Sequence, residues 1–598
     1  MRCDLVVRGQ AVLHGGKIGP ASIHIANGVI VAIEAYDAVA DCTVIDAGSC
    51  VVMPGIVDTH VHLNDPGRSD WEGFATGTNA AAVGGVTTVV DMPLNSVPAT
   101  TTTEGLQAKL AAAEGALRVD VGLWGGVVPG NADQIERLLN EGVLGFKCFL
   151  VHSGVDEFPS VDEADLRLAF PALAKNSAVL LAHAEVPGPI EAAKPEGSPR
   201  SYATYLASRP PAAELEAIEL MIRLSREFEA RTHIVHLAAS SGVPLLRSAR
   251  ESGVPITVET CPHYLCFDAE EIAEGSTEFK CAPPIRENAN RELLWKALAD
   301  GDLDLIATDH SPCPPAMKGT EAGDFFRAWG GIASLQFGLA AIWTEAKRRG
   351  IGLAQVSEWL STAPARLAGL AGRKGTIAVG ADADLIFFDP DAKVDWSRPV
   401  EHRHPLTPYR ERDLQGVVVR TVLRGKTVFL DGKLTDKRQG KIVRNGLYEL
   451  NRSANFLKCC GSTRWASRME EARPFANLRE LLAAAEHFAD ELAEDDWREA
   501  FAAHPRIGAR SGSAWSKQEQ SSVANAADAI REELAEKNTA YFERFGFIFI
   551  ICATGKSAAE MLEQLQARLE NSRETEIATA GAEQRKITAL RLRKLLGV

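Results

Sequence analysis

A short apolar strand, a polar loop and an amphipathic helical stretch alternate eight times between residues 51 and 375. The predicted strands are "VVMPGIVDTHVH", "GVTTVVDMP", "RVDVGLWGGVV", "VLGFKCFLV", "AVLLAHAE", "RTHIVHLAA", "PITVETCPHYL" and "LDLIATDHSP". Stretches between them, such as "NADQIERLLNEG", carry apolar residues at helical spacing. The alternation predicts a (β/α)8 TIM barrel, whose parallel strands are covered on both faces. A doubly wound open sheet is the alternative, and the count of eight favours closure.

The sequence on either side of this region has a different pattern. Residues 1–50 and 376–445 contain short strands joined by Gly, Asn or Asp turns, and we expect both flanks to pair into one small β-sandwich domain. Helical patterns dominate residues 446–598, which predicts a separate all-α domain. With the barrel at 51–375, the 598-residue chain is therefore multidomain, as expected for a length beyond one hydrophobic core.

Net charge, apolar runs and cysteine pattern limit the kinds of partner and the cellular location that the sequence predicts. The net charge of −15 argues against a nucleic-acid or anionic-membrane partner. The first residues, "MRCDLVVRGQ", alternate like a strand and lack the apolar core of a signal peptide, and "FGFIFIICA" is too short to span a bilayer. The 11 cysteines are scattered without a CxxC pair, which is typical of free thiols. We therefore expect a cytoplasmic protein.

Side chains that can bind a metal recur at the carboxyl ends of the predicted strands, where barrel enzymes place their chemistry. His60 and His62 share one face of the first strand because they are two residues apart. The other candidates end strands four, five, six and eight, and they are Lys147, His183, His236 and Asp309. One such histidine is often structural, but four of them with an aspartate predict a site for divalent metal.

Three further histidines leave alternatives open. His233 precedes His236 by three residues and points to the opposite face, so His236, nearer the strand end, is favoured as the ligand. His263 and His310 are either supporting groups of the site or ordinary packing residues.

Several of these stretches together resemble the cyclic-amide hydrolases of the amidohydrolase superfamily: "GIVDTHVHLNDPG", "GFKCFLVHSG", "TCPHYL", "KCAPPIR" and "ATDHSPC". The resemblance covers residues 1–445, and "GFKCFLVHSG" is most similar to allantoinases. It implies two divalent metal ions, with zinc favoured and iron, manganese or cobalt as alternatives. His60 and His62 would hold one ion, and His183 and His236 the other.

The resemblance also implies roles for the two remaining residues. Lys147 would carry a carboxyl group derived from carbon dioxide and bridge the metals, since a plain ammonium has no lone pair to offer. Asp309 would ligate one metal and carry a proton from the attacking water to the departing ring nitrogen. Candidates for substrate contact are Asn64, Cys281 and Pro283. Dihydropyrimidinases share the ligands, so the ligands do not identify the substrate.

The C-terminal region contains no metal, phosphate or cofactor motif. His504 and Glu519 could form an acid–base pair, and the alternative is a surface histidine and a solvated glutamate. However, "HPRIG", "SKQEQ" and "FGFIFIICATGKS" occur in an order that resembles 2-oxo-4-hydroxy-4-carboxy-5-ureidoimidazoline (OHCU) decarboxylases. That resemblance implies catalysis by His504 and Glu519 without a cofactor. It also implies four substrate-binding residues, Pro505, Ser516, Gln520 and Arg568.

The two resemblances agree with each other, because OHCU decarboxylation yields (S)-allantoin, the substrate of an allantoinase. We therefore expect a bifunctional enzyme that binds two small molecules, OHCU and allantoin, and forms allantoate. Family resemblance also suggests a homo-oligomer. One alternative is a dihydropyrimidinase or hydantoinase with a helical appendage. Another is a non-catalytic scaffold, which would be expected to have lost metal ligands that this chain keeps.

Overall fold

The computed structural model describes residues 3–504 and 528–596. The chain divides into two compact units, residues 1–445 and 446–598. The first unit contains a TIM barrel and a β domain, and the second is helical, so the predicted fold class is confirmed. No described helix combines the length and the apolar composition that crossing a membrane requires.

Eight parallel strands form the barrel, and the third is interrupted at Trp124. Their bounds are Ile56–Val61, Val86–Asp91, Asp120–Leu123 with Gly125–Gly126, Phe146–Phe149, Leu180–His183, Thr232–Ile234, Ile256–Thr260 and Leu305–Ile306. The barrel closes between its last and first strands, where Val61 bridges His310 and the His62 N–H donates to the His310 carbonyl at 2.8 Å. This closure excludes the open-sheet alternative.

Helices occupy the connections between barrel strands, as the apolar periodicity predicts. The α-helices of the first unit are Phe74–Val83, Thr103–Ala113, Gln134–Asn140, Glu163–Lys175, Pro187–Ala192, Tyr202–Ala207, Pro211–Phe228, Val243–Glu251, Pro262–Cys266, Asn288–Asp300, Pro315–Lys318, Gly338–Arg348, Leu353–Ser357 and Ala363–Leu367. Shorter 3-10 turns span Ser240–Gly242, Ala269–Glu271 and Thr277–Phe279, and a π-helical turn spans Glu358–Thr362.

The β domain is a nine-stranded sheet built from both flanks of the barrel. Its strands are Leu5–His14, Lys17–Ala26, Val29–Glu34, Thr43–Asp46, Val51–Pro54, Leu385–Lys393, Gln415–Leu423, Lys426–Leu430 and Lys433–Leu434. The flanks meet where Val51–Pro54 pairs antiparallel with Leu385–Lys393. The apolar run from residue 51, predicted as one barrel strand, is therefore two strands. They separate at Gly55, where a Cβ would lie 2.2 Å from Thr87 Oγ1.

A buried cluster of charges joins the barrel to the β domain. Lys374 Nζ lies 2.6 Å from Asp120 Oδ2, 2.7 Å from Asp384 Oδ2 and 2.9 Å from Asp382 Oδ2. Asp120 belongs to the third barrel strand, whereas Asp384 adjoins the sheet strand that begins at residue 385. Because a buried ammonium is stable only when it is paired, these three carboxylates hold the segments together around one lysine.

All regular secondary structure among the described residues of the second unit is helical. Its helices are Gly446–Ser453, Leu457–Cys460, Thr463–Glu471, Leu478–Asp490, Glu494–Ala502, Asp528–Phe545, Ala558–Arg568 and Arg573–Leu596. Trp465 and Tyr541 are almost completely buried in its core. Residues 547–553 have no regular secondary structure, although Phe549 and Ile550 are buried there, so this apolar run forms part of the core.

Candidate functional site

Three of the predicted ligands meet at one end of the barrel. Asp309 Oδ1 lies 3.3 Å from His60 Nε2 and 3.6 Å from His62 Nε2. The ligand atoms of the three residues all lie within 4.8 Å of one another, and all three residues are buried. Tetrahedral ligands placed ~2.1 Å from a zinc ion lie ~3.4 Å apart. The observed spacing therefore suits a divalent cation without rearrangement.

The other two predicted histidines extend this cluster. The ring centroids of His236 and His60 are 5.3 Å apart, and those of His236 and His183 are 4.6 Å apart. Burial lowers the pKa of His183 to about 4 and holds the pKa values of His62 and His236 well below the usual range. A neutral imidazole carries the lone pair that a metal ligand needs. The four rings are therefore close together, and the lowered pKa values favour the neutral, metal-binding form of His62, His183 and His236.

Lys147 lies in the same cluster and is fully buried. Its Nζ has no hydrogen-bond partner among the described residues and lies 4.7 Å from the ring centroid of Phe149, which stacks on His183. Burial lowers the pKa of Lys147 to about 8, which increases the fraction of neutral amine. Only the neutral amine has a lone pair that can react with carbon dioxide. An unpartnered lysine among buried imidazoles thus fits a modified side chain better than an ordinary ammonium.

Two of the predicted ligands, His236 and Asp309, lie beyond the ends of their strands. His236 is two residues past Ile234, and Asp309 is three residues past Ile306, whereas the sequence indicates that both end a strand. Both adopt left-handed backbone conformations, with φ of 41° and 44°. Such a conformation costs about 1–3 kcal/mol in a residue other than glycine and persists only where its surroundings enforce it. The backbone turns here aim both side chains at the cluster.

Sequence reasoning missed Glu259, which connects two of the histidines. Its Oε1 lies 2.6 Å from His60 Nδ1, and its Oε2 lies 3.1 Å from His233 Nε2, with all three side chains buried. Burial opposes ionisation, but His60 and His233 together lower the pKa of Glu259 to about 2. The carboxylate fixes the His60 ring so that Nε2 remains for a metal. An acidic residue within an apolar strand was the available signal.

We expect Glu259→Gln to weaken the site without removing a ligand. The neutral amide would hold His60 less strongly, and changes of this kind cost about 10–100-fold in metal affinity or activity. Metal content after dialysis against a graded chelator series measures the effect, and Glu274→Gln, at an exposed glutamate, is the matched control. Equal metal retention by both variants would show that Glu259 does not orient His60.

A second missed carboxylate supports His183. Glu185 Oε2 lies 2.8 Å from His183 Nε2, and both carboxylate oxygens also accept from Arg209, at 3.0 and 2.6 Å. Because Nε2 of His183 contacts Glu185, Nδ1 is the ring nitrogen that could bind a metal ion. Asp58, also buried, instead holds backbone in place, because its carboxylate accepts from the Thr308 N–H and hydroxyl and from the His60 N–H.

The two histidines left open by the sequence, His310 and His263, have different surroundings in the structure. His310 Nδ1 accepts from the Ser334 N–H at 3.1 Å, so Nε2 carries the proton and donates to Glu72 at 3.2 Å. His310 is thus held by the surrounding loops. His263 is fully buried with both ring nitrogens unpartnered among the described residues, and its ligand atom lies within 4.8 Å of those of Asp309 and Cys261. His263 is therefore a close neighbour of the cluster.

A cavity of about 780 Å³ opens over the cluster, within the size range of small-molecule sites. Of the three substrate-contact candidates, Cys281 lines this cavity. Asn64 and Pro283 are not among the described residues that line it. Asn64 Oδ1 accepts from Asn95 Nδ2 at 3.0 Å, and the Pro283 carbonyl accepts from the Tyr264 hydroxyl at 2.7 Å. Asn95, which sequence reasoning did not single out, does line the cavity.

The second unit positions two of its predicted residues. His504 follows the helix Glu494–Ala502 by two residues and is half-buried. Arg568 is buried, with Nε 2.8 Å from Glu576 Oε1, and its Nη1 donates to the Ile550 carbonyl at 2.8 Å. The other predicted residues of this unit, Pro505, Ser516, Glu519 and Gln520, lie outside the described residues.

Two family models match the chain. The amidohydrolase family matches residues 51–428, which include the six metal-ligand candidates. The OHCU decarboxylase family matches residues 445–593, which include His504 and Arg568.

Individual relatives cover the first unit. An allantoinase of Streptomyces avermitilis is 47% identical over 439 residues, covering 73% of this chain and 97% of that protein. An allantoinase of Arabidopsis thaliana is 48% identical over 405 residues, covering 65% and 80%. Among solved structures, the L-hydantoinase (dihydropyrimidinase) of Arthrobacter aurescens superposes with a TM-score of 0.70 and 31% sequence identity, covering 74% of this chain and 100% of that one.

Proposed function

Because the chain belongs to the amidohydrolase family, with an allantoinase barrel and an OHCU decarboxylase domain, we propose that it catalyses two consecutive reactions. The C-terminal domain decarboxylates OHCU to (S)-allantoin, and the barrel hydrolyses (S)-allantoin to allantoate. The observation that carries the barrel's part is the buried cluster of two imidazoles and a carboxylate beneath a cavity of small-molecule size.

The side chains of this cluster fit a pair of divalent cations. The proposed ligands are His60, His62, Lys147 as its carbamate, His183, His236 and Asp309. The fit is supported by the short distances between His60, His62 and Asp309 and by the unpartnered Lys147 Nζ. We propose zinc, and elemental analysis of the purified protein distinguishes it from iron, manganese and cobalt.

In the proposed hydrolysis, Asp309 moves the proton. Divalent cations bound here would supply an activated water and polarise the ring carbonyl. Asp309 takes a proton from the attacking water and returns it to the amide nitrogen as the ring opens, acting as general base and then as general acid. Burial raises the pKa of Asp309, partly offset by His60 and Lys147, which makes its carboxylate a stronger base towards the attacking water.

Substrate preference tests the proposed barrel reaction. We expect purified protein to open the ring of (S)-allantoin far faster than that of dihydrouracil. The measurement is the rate at which the ring-opened ureido acid forms from each substrate. The curated allantoinases are 47% and 48% identical to this chain, whereas the L-hydantoinase is 31% identical, and this difference favours allantoin. Preference for dihydrouracil would support the hydantoinase alternative instead.

Modification of Lys147 has a direct spectroscopic test. Reconstitution with metal and ¹³C-bicarbonate should give a carbamate carbon signal in the NMR spectrum, which Lys147→Arg should lack because a guanidinium does not form a stable carbamate. Lys318→Arg is the matched control, because Lys318 is also buried and burial lowers its pKa to about 8. A signal that survives Lys147→Arg would place the carbamate elsewhere.

For the decarboxylase domain, we propose that no cofactor takes part. The ring imine of OHCU can accept the electron pair released as carbon dioxide leaves, and a proton then completes the product. His504 either stabilises the developing negative charge or, together with Glu519, transfers this proton. Pro505, Ser516, Gln520 and Arg568 would contact the substrate. The buried Glu576 supports this role for Arg568 because it fixes the guanidinium in one orientation.

The family resemblance also leads us to propose that copies of the chain associate. Size-exclusion chromatography with light scattering measures the assembly directly.

A further inference from the structure

Two cysteines of the β domain lie almost within bonding distance of each other. The Sγ atoms of Cys3 and Cys42 are 2.6 Å apart. Both residues are half-buried, whereas the other nine of the 11 cysteines are buried. This pair has no part in the metal cluster or in the decarboxylase domain. The proposed catalytic functions therefore do not explain why these two thiols lie next to each other.

Strand pairing holds the two cysteines side by side. Strands Leu5–His14 and Thr43–Asp46 run parallel, with Leu5 opposite Thr43. Cys42 directly precedes its strand and Cys3 lies two residues before the other strand, so the two cysteines are offset by one residue in this register. Neighbouring strands are ~4.8 Å apart and one residue advances a strand by ~3.3 Å, so an offset of one residue gives a Cα separation of ~5.8 Å, within the ~4.4–6.8 Å that a disulfide needs. The Asp4 N–H also donates to the Ile25 carbonyl at 2.8 Å, which anchors the backbone beside Cys3. The backbone can therefore accept a disulfide without moving far.

We propose that Cys3 and Cys42 form a reversible disulfide by exchange with a low-molecular-weight disulfide such as glutathione disulfide. One cysteine thiolate attacks glutathione disulfide, forming a mixed disulfide and releasing one glutathione. The second thiolate attacks the protein sulfur of that mixed disulfide and releases the second glutathione. Two protein thiols are thus oxidised, one glutathione disulfide is reduced to two glutathiones, and the two thiol protons pass to the glutathione thiolates.

Cys42 suits the second of these steps. Burial and the adjacent Cys3 thiol raise the pKa of Cys42 to about 11, with further contributions from Asp4 and Asp41. A thiol with so high a pKa attacks an external disulfide slowly, because little thiolate is present. Attack on a sulfur already held next to it does not depend on diffusion, so proximity compensates. Cys3 is therefore the residue that first meets the external disulfide.

The disulfide would secure an exposed part of the sheet. Thr43–Asp46 is a short strand with mostly exposed residues, and the preceding segment contains Val39, whose exposed fraction is 89%. A bond between residues 3 and 42 encloses this whole segment and ties the strand to Leu5–His14. We therefore expect slower proteolytic cleavage between residues 35 and 42 in the oxidised protein.

The test uses the full chain in its native state. After incubation with glutathione disulfide, the protein is denatured and alkylated, and we expect two of the 11 thiols to be lost. Mass spectrometry of a non-reduced tryptic digest should then show residues 3–8 linked to residues 18–68, and the link should disappear on reduction. Retention of all 11 thiols in the wild-type protein would overturn the proposal.

Cys50 provides the matched control because it lies on the same tryptic peptide as Cys42 but is buried. Cys50→Ser should keep the cross-link, whereas Cys42→Ser should abolish it and leave a stable glutathione adduct on Cys3. A cross-link that is lost in Cys50→Ser and kept in Cys42→Ser would also overturn the proposal, because the bond would then involve the wrong cysteine.

Discussion

Replacing His60 with alanine is expected to lower the rate of allantoin ring opening by about 10³-fold or more, equivalent to ~4 kcal/mol of transition-state stabilisation. His60 lies 3.3 Å from the Asp309 carboxylate and is oriented by Glu259, so its loss removes one proposed ligand and leaves Glu259 without its partner. Steady-state hydrolysis of (S)-allantoin measures the change in rate. The metal content of the same sample shows whether the loss of rate accompanies a loss of bound metal.

Release of carbon dioxide from OHCU should be unchanged in His60→Ala, because the decarboxylase residues belong to the other compact unit. His14→Ala is the matched control, at a half-buried histidine of the β-sheet that has no part in the proposed site. Loss of both activities in His60→Ala would contradict independent catalysis by the two units. Full ring-opening activity would remove His60 from the mechanism.

The second large effect is expected at His504. Acid–base catalysis by a positioned side chain contributes about 10²–10⁴-fold to a rate, so His504→Gln should lower decarboxylation by a factor in this range. The measurement is carbon dioxide release from freshly made OHCU, corrected for the reaction without enzyme. Ring opening of allantoin by the same variant should proceed at the wild-type rate.

His487→Gln is the control for this variant, because His487 is an exposed histidine of the same helical unit. It should decarboxylate OHCU at the wild-type rate. If His504→Gln matched it, the catalytic role of His504 would be disproved and the acid–base group would have to be sought among the other predicted residues.

Much of the barrel site could be predicted from the sequence because its signals are local. Alternating strands and helices indicate a barrel, barrel strands end at a common face, and residues such as His60 and His62 can be assigned to that face by counting. The supporting residues could not be assigned in this way. Glu259 and Glu185 act through contacts with His60 and His183, and which carboxylate faces which ring depends on the packing of neighbouring strands.

The sequence by itself therefore determined the element types, the order of the helical and barrel regions and the side chains proposed as metal ligands, since these follow from periodicity and residue chemistry. Only the tertiary structure decided that Val51–Pro54 joins the β-sheet, because strand membership depends on a partner more than 300 residues away. It likewise decided the left-handed turns at His236 and Asp309. Such conformations are unfavourable locally and exist only because the closed barrel stabilises them.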